Sequence, residues 1–317
     1  MMQESRKKIL EISLVVTFVL CLVIILWGAF VRFSGSGDGC GASWPLCGGK
    51  IVPAQDVHYK VWIEYAHRAT SGLLGILVFL QVVFGFLWTG RGHPLRRCLA
   101  LVGVFTVSEA LIGAGLVLFS LVGEDSSSSR VLWLLGHLGN TLLLLASITL
   151  AYLQVRFEKG RLPILPSRAL LPYLVVFFFV ACLGAVASLS NTLYPSQSLA
   201  SGILADFHHS SPLLVRLRIF HPLFGVLFFL LIIEWWQKST MSYPIIAKRL
   251  LWITGLNFLI GATTLVLLSP LPGRLLHILV TDLLWVQLYG MAVLIRARNS
   301  MGRAGTPEFQ REVVLTS

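Results

Sequence analysis

Apolar residues run along this chain in long stretches separated by short polar segments. Eight such stretches, about 9–33, 61–88, 96–120, 131–155, 168–189, 215–236, 247–268 and 272–296, each reach the roughly 20 residues that a helix needs to cross a hydrocarbon layer. The pattern predicts an all-α polytopic membrane protein with eight transmembrane helices and no separate soluble domain. Polar positions within the stretches are few, and four of them are histidines: His67, His137, His221 and His277. Each lies five or six residues into an even-numbered stretch. At about 1.5 Å of rise per residue, all four sit some 8–9 Å below the helix ends.

The stretches divide into two groups of four at the Pro-rich, basic loop 156–168. Gly28-Ala29 in stretch one is echoed by Gly184-Ala185 in stretch five. Leu111-Ile112-Gly113-Ala114 in stretch three is echoed by Leu259-Ile260-Gly261-Ala262 in stretch seven. With the histidine positions, these echoes predict two pseudo-symmetric four-helix bundles, residues 1–160 and 161–317. An even number of spans per half makes the repeats parallel, related by an axis along the membrane normal.

Composition agrees: 56% of the 317 residues are hydrophobic and 12% are charged, about half the charge of an ordinary soluble domain. The net charge of +11 raises the question of nucleic acid, but its placement answers it. Seventeen of the 25 basic residues fall before stretch one, between two and three, four and five, six and seven, or after eight. If the spans alternate, these are all on one side, which is the positive-inside rule. The excess therefore reads as topology in a cell (inner) membrane, with both termini cytoplasmic and no nucleic-acid partner. The first stretch is long and lacks a small-residue cleavage site, so it is expected to be retained.

Cys40 and Cys47 lie in the first outward loop, a compartment where disulfides persist. A disulfide is the favoured expectation, against two free thiols or a metal pair. Cys21, Cys98 and Cys182 are expected to be small apolar filler.

An imidazole in hydrocarbon is costly without a partner. Two pairs at matching depth, His67 with His137 and His221 with His277, are suited to closing the axial positions of haem iron inside a helical bundle. Gly72, Gly75, Gly136, Gly139 and Gly225 would let a flat macrocycle approach the backbone. Glu64 lies three residues before His67 on the same helix face, where it would pair with Arg68 or act on a substrate beside the iron. The matching position before His221 is Arg218, so only the first half carries an acid. Glu109 and Asp282 are further intramembrane acids, and Asp282 reads as a helix-packing group or a support for His277. Arg32, Arg68, Arg216, Arg218 and Arg274 lie where haem propionates would point. His58, His93, His208 and His209 read as solvated loop residues.

At this point the residues resemble a known family. Trp27-Gly28-Ala29-Phe30-Val31-Arg32-Phe33-Ser34-Gly35-Ser36-Gly37, then Cys40 and Cys47 bracketing Ser43-Trp44-Pro45-Leu46, resembles the opening of bacterial haem A synthase. Ile63-Glu64-Tyr65-Ala66-His67-Arg68 is similar to that family's Glu-x-x-His-Arg segment. The resemblance implies an oxidoreductase acting on a CH group, which oxidises the C8 methyl of haem O to the formyl of haem A for cytochrome oxidase. It implies that His67 and His137 hold the substrate haem and that His221 and His277 are the iron ligands of a haem b cofactor. It makes Glu64 the catalytic carboxylate and Cys40–Cys47 a disulfide. Membrane lipid, a haem O synthase and an electron acceptor are the expected partners, and an oligomer is compatible with them. The chain departs from its own symmetry at His221-Pro222, where the first half has His67-Arg68. Two other readings compete: a bis-histidine cytochrome b acting only in electron transfer, and a transporter built from parallel repeats.

Overall fold

The computed structural model describes residues 3–157 and 162–301, which are helical almost throughout and carry no named strand. Eight of the helical segments are long and apolar enough to cross a membrane, so the chain is a multi-pass membrane protein. The coordinates divide into two compact units, meeting between Ile148 and Thr149 within one helix.

The first unit contains α1 (Glu4–Phe33), α2 (Tyr59–Trp88), α3 (Pro94–Leu118) and most of α4 (Ser128–Arg156). On α1, Leu10, Leu14, Thr17, Cys21 and Ile24 are buried, while Ile9, Ile12, Val16, Val19 and Val23 form an exposed row at three- and four-residue spacing. A helix that is apolar on both its buried and its exposed face belongs in lipid. Gln81 Nε2 donates to Thr17 Oγ1 at 2.7 Å, a buried polar contact that joins α2 to α1. His58, which is exposed, and His93, which is half-buried, are N-caps whose rings accept from Lys60 N and Leu95 N. Arg96 closes the turn between α2 and α3 by donating to the carbonyls of Phe86 and Thr89, a favourable place for a cation at a helix C-terminus.

The second unit adds α5 (Leu171–Leu193), α6 (Leu199–Phe207), α7 (Leu213–Leu217), α8 (Phe220–Ser239), α9 (Pro244–Val266) and α10 (Leu271–Met301). α8 packs against α5 and α9, and α10 packs against α9 and α5. Two features differ from the sequence expectation. The loop after α5 folds into α6, started by a capping box between Ser198 and Ser201. The sixth span is broken between α7 and α8, at Arg218–Ile219. Pro222 explains the break, because it cannot donate to the Arg218 carbonyl four residues back and its ring crowds that oxygen. The link before α5 is held to α10 by Ser167 N donating to Ala292 O and by Arg296 donating to Pro166 O.

Candidate functional site

His67, His137, His221 and His277 lie eight, nine, eight and six residues beyond the start of their spans, or about 9–14 Å along each helix. All four are half-buried. In the second unit the rings of His221 and His277 form an edge-on pair, with centroids 6.1 Å apart and planes at 71°. Two imidazoles bonded to one metal at about 2 Å place their centres roughly 6–6.5 Å apart, so the pair has the spacing of shared axial ligands. His221 Nδ1 lies 3.1 Å from the Val180 carbonyl. That contact fixes the ring and leaves Nε2 as the nitrogen free to bind a metal.

Three of the four rings rest on glycine. A Cβ on Gly28 of α1 would stand 2.9 Å from His67 Cε1. One on Gly184 of α5 would stand 2.8 Å from His221 Cε1, and one on Gly261 of α9 would stand 2.8 Å from His277 Cε1. No side chain fits those gaps without displacing the ring. The echoes Gly28/Gly184 and Gly113/Gly261 therefore have a physical meaning at three of their four positions: the neighbouring odd-numbered helix supplies a seat for an imidazole. Sequence reading found the echo but did not connect it to the histidines. A Cβ on Gly72, Gly75, Gly136 or Gly225 would meet nothing within 4 Å, and Gly72 and Gly136 are exposed. The Nδ1 of His67 is buried without a hydrogen-bond partner. These cradles and the paired rings fit haem. Among the described residues no three His, Cys, Asp or Glu side chains converge on a bare-ion site.

In the first unit His67 and His137 come within electrostatic reach of each other and of Glu109. Glu64 is 3% exposed, one helical turn from His67, and its carboxylate is fully engaged. Arg68 donates to Oε1 through Nη2 at 2.5 Å and Nε at 3.1 Å, and Cys40 N donates to Oε2 at 2.7 Å. Arg68 Nη1 also donates to the carbonyls of Ser43 and Leu46. Cys40 and Cys47 form a disulfide, which closes the loop that Glu64 and Arg68 hold. Arg68 is thus committed to Glu64 and the loop rather than left for a propionate.

The equivalent position in the second unit inverts the charge. Arg218, three residues before His221, pairs through Nε with Asp206 of α6 and donates to Gly202 O at 2.9 Å and Asn191 Oδ1 at 3.2 Å. In both units the residue three before the histidine clasps the segment ahead of its own helix, with a carboxylate in one and a guanidinium in the other. Arg274 donates to Ser269 O and Thr192 Oγ1, while Arg32 lies over the Phe33 ring and Arg216 is exposed. Glu109 sits 3.1 Å from His137 Nδ1. Asp282 is buried in α10, with Oδ2 lacking a partner.

Comparison with known proteins decides the family. The family model for cytochrome oxidase assembly protein, COX15-CtaA, matches residues 11–289. The chain belongs to this family, that of the haem A synthases. A protein named heme A synthase from Alkalihalophilus pseudofirmus is 29% identical over 91% of the chain and 98% of its own length. A second heme A synthase, from Shouchella clausii, is 35% identical over 55% of the chain and 54% of its own length. A Thermus thermophilus protein named protoheme IX farnesyltransferase is 33% identical over 84% of the chain, which spans only 45% of that protein. The matched stretch takes in the disulfide loop and reaches into all eight spans.

Proposed function

We propose that this chain is an oxidoreductase, a haem A synthase that oxidises the C8 methyl of haem O to a formyl group. The observation that carries the proposal is the His221–His277 pair: two edge-on rings at metal-sharing distance, each on a glycine seat. His221 and His277 are the iron ligands of a haem b cofactor in the 161–317 bundle. His67 and His137 receive the substrate haem in the 1–160 bundle. When bound, haem b supplies one-electron transfer.

The chain's own groups do the rest. His67 and His137 orient the substrate through its iron and hold the ring plane fixed in the bundle. Glu64, held by Cys40 N and Arg68, is the catalytic carboxylate. Its charge stabilises positive character that develops on the reacting methyl, in an environment where water competes poorly. Because both carboxylate oxygens are already oriented by donors, no reorganisation is needed during the reaction. The Cys40–Cys47 loop keeps the Cys40 N–H in place and shields that end of the bundle from water.

Both termini are cytoplasmic in the cell membrane, which follows from the basic residues between the odd-to-even pairs of spans. The haem sites then lie in the outer half of the bilayer. A protohaem farnesyltransferase is the supplier of haem O, and the T. thermophilus relative supports that pairing by its name and by the partial overlap. Co-expression with such an enzyme, followed by pigment extraction, tests the function. Haem A should appear with this chain and be absent without it; bound haem with no haem A would favour the electron-transfer cytochrome instead.

A further inference from the structure

Three of the four histidines rest on glycine, but His137 does not. A Cβ on Gly113, the repeat counterpart of Gly261, would meet nothing within 4 Å. The group beside the His137 ring is instead the Glu109 carboxylate, with Oε1 3.1 Å from Nδ1. The N–H direction is off the oxygen, so this is a close electrostatic contact rather than an aligned hydrogen bond. The carboxylate is itself held in place: Asn140 Nδ2 donates to Oε2 and Thr141 Oγ1 to Oε1, both at 2.5 Å. Both partners are donors, which suits an acceptor-only carboxylate.

The second unit supplies an internal comparison. By the repeat register that aligns Leu111-Ile112-Gly113-Ala114 with Leu259-Ile260-Gly261-Ala262, Glu109 corresponds to Asn257. Thr141, four residues after His137, corresponds to Thr281, four residues after His277. The Thr281 hydroxyl lies 3.2 Å from Asn257 Oδ1 and 2.7 Å from the His277 carbonyl. The Thr141 hydroxyl lies 2.5 Å from Glu109 and 2.9 Å from the His137 carbonyl. The scaffold is shared, and the difference is a carboxylate in one unit against an amide in the other.

We propose that Glu109 is a positioning residue for His137, which orients its ring and strengthens its donation to haem iron, making the first haem site electronically distinct from the second. The inference rests on His137 being a haem ligand, as proposed above. A negative charge held beside the distal nitrogen of a ligating imidazole favours the tautomer with its proton on that nitrogen and, as with a hydrogen-bonded carboxylate, raises ligand basicity. Stronger donation favours the oxidised metal and lowers its reduction potential. Asn257, at the corresponding place in the second unit, carries no net charge, so His277 gains less.

The test is an optical redox titration of purified, haem-loaded protein, comparing the unmodified chain with Glu109→Gln and Asn257→Asp. Glu109→Gln should retain haem and shift one midpoint potential upward while leaving the other unchanged. Asn257→Asp should shift the other downward. Retained haem with both potentials unchanged in Glu109→Gln overturns the proposal, because a merely structural Glu109 would give that result. If Glu109→Gln loses haem, Asn257→Asp decides alone, and the absence of a downward shift overturns the proposal. A haem spectrum unaltered by His137→Ala overturns the ligand assignment itself, and that failure is distinguishable because it appears without any change at Glu109.

Discussion

Glu64 accepts three hydrogen bonds, two from Arg68 and one from Cys40 N, at a depth where hydrocarbon supplies none. Charge-assisted bonds of this kind are the strong ones, and removing the acceptor would leave Arg68 without its counter-ion. Glu64→Gln keeps the shape and loses the charge. It is expected to retain bound haem but to lower haem A formation by about 100-fold or more, the usual cost of losing one preorganised charge-stabilising group. Chromatography of extracted haems checks this, and an unchanged haem A to haem O ratio would remove Glu64 from the catalytic role. Gly184 gives a second residue-scale outcome. The methyl of Gly184→Ala would stand 2.8 Å from the His221 ring, whereas that of Gly255→Ala would meet Phe229 at an ordinary 3.7 Å. Haem content per chain should fall in the first variant and hold in the second. The histidines and Glu64 were legible because polar side chains stand out in apolar stretches. Gly184 was not, since a glycine's role depends on which ring lies above it.

At the scale of elements, the eight spans were readable because length and apolarity suffice to set them. The α6 helix and the break between α7 and α8 were not read, although each has a local cause, the Ser198–Ser201 capping box for one and Pro222 for the other. The break places Arg218 under α6, where it and Asp206 are each 8% exposed. Leaving one member of such a pair uncompensated costs about 3–5 kcal/mol, while replacing both by apolar groups costs far less. Asp206→Ala should therefore lower the thermal midpoint of the second unit clearly, and Asp206→Ala with Arg218→Met should recover most of the loss. Thermal unfolding followed by haem release measures both. Equal midpoints for Asp206→Ala and the unmodified chain would show that the clasp is not energetically important.

For the whole molecule, charge placement along the chain carries the orientation. Basic residues gather between spans two and three and between six and seven, and the disulfide loop and α6 lie on the opposite side if the spans alternate. A cysteine introduced at exposed Gly90 should react with a membrane-impermeant thiol reagent only after the cytoplasmic face is opened. One introduced at exposed Gln197 should react in intact cells. The reversed pattern would invert the topology. The repeat was legible as paired histidines, but its inverted charge, Glu64 against Arg218, and its unequal support, Glu109 against Asn257, gained meaning only when the partners were located. The two units thus differ in the groups beside their histidines as well as in α6, the broken span and the disulfide loop. On the proposed assignment, that difference would separate a site for a substrate haem from one for a resident cofactor. The most direct test of this account is the type and number of haems per chain in purified protein co-expressed with a protohaem farnesyltransferase, set beside the same count for His277→Ala. The account requires haem b together with haem A or haem O in the unmodified chain, and loss of the haem b in the variant. A protein without haem, or one whose haem b is unchanged by His277→Ala, would contradict it.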